Sequence, residues 1–286
     1  MPIDLGQAVG AELTGTTFTW SDEDVILYHL GIGAGVPPTD PDELRYVYEG
    51  DLHVLPTYVS IPQFPVMMSM GFAPGFDIDL AMILHGEHEI VIHETIPSSG
   101  TVTQTGRVTD VFDKGKGALA VVEVVSVLEK TGQPLFTNRA RIFIRGEGGF
   151  GGDSGPSTAE TIPERDPDHV VESTTMPQQA LLYRMASGDK NPLHVDPGFA
   201  AFAGFDRPIL HGLCTYGIVA KAAVDRAVES GPEAVGSFRA RFSGVVYPGE
   251  TLVTRIWEEG DHLVVTAEVK ERSANVLSNG VIDLRQ

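Results

Sequence analysis

HGLCTYGIVAKAAVDRAVE, from His211 to Glu229, is the stretch of this chain with clean helical periodicity. Leu213, Gly217, Ala220, Val224 and Ala227 recur at steps of four, three, four and three, which puts them on one apolar stripe. Gly212, Gly217 and the alanines are small, so a sheet can pack closely around this helix. Four strand-like segments follow it: Gly236–Phe242, Thr251–Trp257, Leu263–Val269 and Val276–Asp283. Turn chemistry separates them at Tyr247-Pro248-Gly249-Glu250 and Glu259-Gly260-Asp261.

The first half of the chain carries the same strand–turn theme. Glu87–Ile96, Thr101–Val111, Ala118–Leu128 and Leu135–Ile144 read as an antiparallel meander. Residues 146–168 are rich in Gly, Pro, Ser and acids and read as a linker between halves of similar size. The halves share landmarks: Leu84-His85-Gly86 matches Leu210-His211-Gly212, and Pro97–Gly100 matches Pro248-Gly249. These suggest a duplication, with an N-terminal unit at 1–145 and a C-terminal unit at 169–286.

The 286 residues carry a formal net charge of −19 and 42% hydrophobic residues. That is enough apolar content for a folded core. The acidic balance argues against nucleic-acid partners and against docking on anionic lipid. A single cysteine, Cys214, excludes an intramolecular disulfide and fits a reducing compartment. The start reads as no signal peptide, no segment is long and apolar enough to span a membrane, and the end is no peroxisomal address. The expectation is a soluble cytoplasmic protein.

Chemistry concentrates in Tyr183–His194, YRMASGDKNPLH, which joins a carboxylate (Asp189), an amide (Asn191) and an imidazole (His194). Gly188 and Pro192 argue against a regular element across the cluster. A loop can turn Asp189 and His194 toward one water, as an acid/base pair requires. The structural alternative is an Asp-x-Asn-Pro turn whose polar side chains bond their own backbone.

Ala186-Ser187-Gly188-Asp189-Lys190-Asn191-Pro192-Leu193-His194, with Tyr183 before it and Asp196–Ala200 after it, resembles the hydratase 2 motif. That motif marks MaoC-like (R)-specific enoyl-CoA hydratases and dehydratases. Tyr28–Ala34, Tyr48-Glu49-Gly50 through Leu55-Pro56-Thr57, and Phe143–Gly152 resemble segments of the longer members, such as the hydratase domain of the peroxisomal multifunctional enzyme. The resemblance spans most of the chain. It implies an α+β double hot-dog fold: two curved antiparallel sheets, each wrapped around a central helix. Pro56, Pro62, Pro65 and Pro74 predict that the first-half helix is short or broken.

The resemblance also implies the activity: reversible syn addition of water to a trans-2-enoyl-CoA, giving the (3R)-3-hydroxyacyl-CoA. Asp189 and His194 then hold the water, with the Gly212 N–H as oxyanion donor at the helix start. His85, Gly86, Lys114, Tyr183, Asn191 and Phe242 are expected to bind substrate or CoA, with Tyr28 and Glu49 in support. The bland alternatives are a core tyrosine for Tyr28 and an exposed acid in a turn for Glu49. The first half lacks the motif, so one active site per chain is expected.

Met67, Met68, Met70, Phe64, Phe72 and Phe76 are candidates to line an acyl tunnel, or else ordinary core. Over Gly106–Arg145 seven basic residues face four acidic ones, a local excess suited to CoA phosphates. Gly146–Gly151 satisfies G-x-G-x-x-G, but Gly152-Asp153-Ser154-Gly155-Pro156 follows where a dinucleotide site needs a helix. His85, His88 and His93 have no familiar metal-ligand spacing, and hydration needs no Lewis acid, so neither metal nor cofactor is expected. The expected partner is an acyl-CoA or acyl-carrier-protein thioester, and the expected assembly is a homodimer. Two alternatives stand beside the hydratase: a non-catalytic acyl-thioester-binding subunit of a heteromeric dehydratase, and a hot-dog thioesterase.

Overall fold

In a computed structural model the chain is described for residues 3–78, 82–156 and 160–285. Met1, Pro2, residues 79–81, residues 157–159 of the Gly/Pro-rich segment, and Gln286 lie outside the described residues. The first unit opens with α1 (Leu5–Ala8) and β1 (Glu12–Trp20), followed by α2 (Asp22–Gly31), α3 (Pro41–Leu44) and α4 (Phe64–Met68). Four long strands complete it: β2 (Ile83–Ile92), β3 (Gly100–Asp113), β4 (Gly117–Leu128) and β5 (Gln133–Arg145). The second unit has β6 (His169–Thr174), α5 (Gln179–Ser187), α6 (Pro197–Phe202) and α7 (Gly212–Ala227). It closes with β7 (Val235–Phe242), β8 (Thr251–Glu258), β9 (His262–Val269) and β10 (Ala274–Leu284).

All ten strands form one antiparallel sheet in the order β1-β3-β4-β5-β2-β7-β10-β9-β8-β6. Reading inward from either edge gives the same connectivity, so two five-stranded copies meet at the β2–β7 pair. That seam aligns Glu87 with Arg241 and Ile90 with Phe238. The two sheets expected from the sequence are thus halves of one continuous sheet, because β2 and β7 pair with each other and leave neither as a free edge. The duplication is real, but one of its landmarks is not. Leu84-His85-Gly86 lies within β2, whereas Gly212 opens a helix. The Pro97–Gly100 and Pro248-Gly249 turns are equivalent: each leads into the third strand of its unit. β1 and β6 had escaped the periodicity reading. Both are edge strands with one wet face, so neither builds a continuous apolar run.

α7 is buried almost all round, which is why small residues dominate it. Gly217 shows the tightest approach: a Cβ there would lie 2.7 Å from the Tyr28 hydroxyl and 2.8 Å from Ile32. The first unit has no matching helix. Its place is taken by a 3₁₀ turn at Pro56–Ser60, the five-residue α4 and a second 3₁₀ turn at Ser69–Phe72. Proline removes backbone donors in this stretch, as the sequence implied.

One apolar cluster around α7 draws residues from both halves. A smaller one packs Val66, Met67, Met70 and Phe76 against β3, β4 and β5. This bears on the choice between an acyl tunnel and ordinary core. Met67, Met70 and Phe76 are packed core, Phe64 is half-buried, and Met68 and Phe72 are exposed. The six side chains face different environments because a broken helix does not keep one face toward the sheet.

Candidate active site

Asp189 and His194 are brought together by two local stops. α5 ends at Gly188, whose φ of +69° is the left-handed conformation that closes a helix and turns the chain away. Asn191 then caps the 3₁₀ turn Pro192–His194, its side chain accepting from the Leu193 N–H at 3.0 Å. Asp189 accepts from the Asn191 N–H at 2.9 Å, so the loop is bound to itself. Arg184 of α5 donates to the carbonyls of Asp189 and Asn191 at 3.4 and 3.3 Å. The turn reading therefore holds, and it leaves the catalytic reading open: the Asx-type bonds build the loop that presents the pair. Asn191 acts on that loop, with its oxygen committed to the cap.

His194 Nε2 and an Asp189 carboxylate oxygen lie 4.0 Å apart. This is too long for a direct hydrogen bond and short enough for one water to touch both. His194 Nδ1 lies 2.9 Å from the Ile209 carbonyl. A carbonyl only accepts, so the ring proton sits on Nδ1 and Nε2 is the free base. Burial lowers the His194 pKa, and the nearby Arg184 adds to this. The Ile209 carbonyl and Asp189 oppose it without reversing the shift. The imidazole is thus neutral at neutral pH, as a base must be.

His211 stacks on His194 with ring centroids 3.7 Å apart and planes 26° from parallel. The Tyr183 ring is also close to His211, 5.0 Å away by centroids and tilted by 49°. Gly212 is the first residue of α7, and the first amides of a helix have no intrahelical acceptor. Its N–H is therefore free of an intrahelical acceptor. Tyr183 is buried, and the Tyr28 ring lies near it with centroids 6.1 Å apart. Glu49 is exposed on the 3₁₀ turn Glu49–Asp51 and is not among the side chains brought together here.

Asp189, His194 and His211 place one donor atom each within 4.8 Å of one another, the one such set among the described residues. An imidazole binds a metal through a lone pair in its ring plane. Two rings stacked this nearly parallel present their lone pairs side by side rather than at one point, so the set does not fit a metal ion. His88 and His93 are engaged separately, with Asn138 and Thr137 at 3.1 and 2.9 Å.

A groove of about 620 Å³ opens on the first unit's sheet and reaches the site through Phe242. Phe242 lines the groove and touches Gly212, where a Cβ would sit 3.4 Å from its ring. Gly86 and Lys114 line the groove as well, while His85 is packed edge-on to Phe242 at 5.1 Å. The expected excess of positive charge is largely answered in place. Arg241 and Arg141 pair with Glu87, and Arg139 pairs with Glu89 and Glu123. β2 supplies Glu87 and Glu89 from outside the stretch where the charges were counted. Lys114 is exposed, and its ammonium donates to the Ser154 carbonyl.

The glycine-rich segment has its own role. The N–H groups of Gly115, Gly149 and Gly151 bind the Asp113 carboxylate at 2.8, 2.8 and 2.7 Å. These hydrogen bonds hold the Asp113 pKa below its usual value. The loop cradles a side chain of this chain, and the described residues 152–156 after it form no helix.

Sequence reasoning passed over His211 and Arg184 as site residues. His211 was visible only as a landmark, although its place just before the helix-opening glycine was a signal. Arg184 acts through backbone carbonyls, which leave no mark in sequence.

Comparison with known proteins gives a consistent picture. A family model described as the MFE-2 hydratase 2 N-terminal domain matches residues 18–146, and one described as a MaoC-like domain matches 158–280. The chain is 45% identical over 284 residues to "Enoyl-CoA hydratase ChsH3" of Mycobacterium tuberculosis, covering 98% of each. It is 41% identical to "Enoyl-CoA hydratase 2, peroxisomal" of Arabidopsis thaliana, covering 96% of this chain and 93% of that one. Among solved structures, a MaoC-like dehydratase from Phytophthora capsici matches with a TM-score of 0.86 at 32% identity, covering 99% of each chain. The full-length peroxisomal multifunctional enzyme type 2 of Drosophila melanogaster matches with a TM-score of 0.83 at 37% identity. That match covers 96% of this chain and 48% of the fly protein.

Proposed function

This chain belongs to the MaoC-like hydratase 2 family, and on that footing we propose that it hydrates trans-2-enoyl-CoA to (3R)-3-hydroxyacyl-CoA, and the reverse, in fatty-acid metabolism. The observation that carries the reading is the Asp189–His194 pair, 4.0 Å apart, set beside the first N–H of α7.

The reaction follows from that geometry. Asp189 and His194 hold one water between them. As its oxygen bonds to C3, its proton passes to the pair, with His194 Nε2 as the free base. The C2=C3 electrons move toward the thioester, whose oxygen gains negative charge and is met by the Gly212 N–H. A proton then goes to C2, and the pair is restored. One H and one OH have been added, no electrons have been exchanged, and the balance needs no redox cofactor.

We further propose that CoA lies along the groove that ends at Phe242, with Lys114 meeting a phosphate. Lys114 and Phe242 both line the groove, and the Lys114 ammonium donates to a backbone carbonyl rather than to a carboxylate among the described residues. The proposal includes a homodimer and a cytoplasmic location, the latter supported by a single buried, unpaired cysteine.

The test is loss of enoyl absorbance on adding the protein to crotonyl-CoA, with chiral analysis of the product. Formation of (3S) product, or no hydration, would overturn the reading. Release of free thiol without hydration would favour a thioesterase. Activity that appears only with a partner chain would favour the non-catalytic subunit.

A further inference from the structure

His211 is 2% exposed, and neither of its ring nitrogens makes a hydrogen bond of good geometry, the Asp189 backbone carbonyl lying near the ring without completing one. Buried polar groups are nearly always satisfied, and the exceptions in native proteins concentrate where a ligand or reacting group completes the set. His211 is the N-cap residue of α7, directly before Gly212, and its side chain makes no capping bond. One of its nitrogens lies within 4.8 Å of the Asp189 carboxylate and of a His194 nitrogen, so it faces the place where the reaction occurs.

Its charge state suits one task. Burial lowers its pKa to about 2, with His194 and Arg184 acting in the same direction and the Asp189 backbone carbonyl opposing them. At working pH the ring is neutral and carries one N–H and one lone pair. A neutral imidazole at a helix N-terminus is a donor that polarises a carbonyl without giving up its proton.

We propose that His211 is a second oxyanion donor: its ring N–H and the Gly212 N–H together meet the thioester oxygen of the bound enoyl thioester. This rests on the hydratase reading above. When water bonds to C3 and the C2=C3 pair shifts toward C1, charge gathers on that oxygen, and both donors shorten toward it. When C2 takes its proton the carbonyl re-forms and the donors relax. His211 remains neutral throughout. The stack on His194 holds the His211 ring in the plane this requires.

The test uses the full chain. His211→Phe keeps an aromatic plate and removes the N–H. It should lower kcat about 10²–10³-fold, the usual loss of one oxyanion donor, with KM nearly unchanged. His211→Gln keeps an N–H and should stay within about tenfold of the parent protein. Melting temperatures show which variants fold, and His211→Leu replaces His211→Phe if that one does not. A second readout avoids turnover. Cinnamoyl-CoA bound to Asp189→Asn should show a red-shifted absorbance from carbonyl polarisation, and adding His211→Phe should reduce the shift.

Parent-like kcat in His211→Phe, equal damage by Phe and Gln, or an unchanged red shift would each overturn the proposal. Failure of the unaltered protein to hydrate any enoyl-CoA would instead remove the hydratase reading beneath it.

Discussion

On the proposed reaction Asp189 and His194 share one exchange of protons, and their replacement should show it. Asp189→Asn and His194→Gln should each lower kcat by about 10²–10⁴-fold, the usual contribution of a positioned acid or base, measured as crotonyl-CoA hydration. The pH profile is a finer check. The His194 pKa is lowered, chiefly by burial, and the neutral ring is the active form. Activity should therefore persist as pH falls through the ordinary histidine range near 6.5 and drop only below it. An acid limb in kcat/KM at or above 6.5 would contradict this. At this scale the sequence was legible where a side chain works from within its motif. Asp189 and His194 sit five residues apart, and a loop joins them. His211 was not legible, because its importance comes from lying face to face with His194 across 17 positions of chain.

Elements set that loop. Gly188 ends α5 at φ +69°, where a Cβ meets the following carbonyl. Gly188→Ala should cost about 1–2 kcal/mol in urea unfolding. It should also lower kcat, because Asp189 is the next residue. Gly217 tests a different property. Its backbone is ordinary helix, but a Cβ would stand 2.7 Å from the Tyr28 hydroxyl. Gly217→Val should destabilise by about 1–3 kcal/mol through overpacking, while an alanine on the exposed end of α7, at Arg226, should change little. The periodicity of α7 could be read from letters alone, since a helix buried on most sides repeats its small residues. The short, wet edge strands β1 and β6 carried no such signal. The broken first-unit helix was visible in its prolines, but which side chains it buried was not.

At the scale of the whole molecule the two halves share one core. The main core takes residues from both halves, and the Gln179 side chain of the second half donates to the Gly31 carbonyl of the first at 2.6 Å. Separately produced halves should therefore show no hydration of crotonyl-CoA. Several histidines are buried neutral across the two units, and this gives stability a pH dependence. His29 has its pKa lowered by burial to about 4. In the unfolded chain it returns to about 6.5, so between these values the unfolded state binds the extra proton. Stability is thus full above about pH 6.5 and declines as pH falls toward 4. His29 alone implies a loss of about 2 kcal/mol at pH 5. Carboxylates with lowered pKa values, such as Glu123 and Glu250, add losses in the same direction at lower pH. Urea midpoints at pH 7.5 and 5 would check the sign. A higher midpoint at pH 5 would refute it.

The sequence by itself determined four of the five strands in each half, the helix α7, the proline-broken stretch of the first half and the loop that carries Asp189 and His194. These follow from spacing and turn chemistry between near neighbours, which a linear text records. Only the tertiary structure decided that the two sheets join at β2 and β7, and that His211 stacks on His194. It also decided that the arginines of the groove are answered by Glu87, Glu89 and Glu123. Those outcomes depend on which surfaces meet when the halves close on α7. Burial, pairing and charge compensation are properties of neighbours in space, and distance along the chain does not encode them.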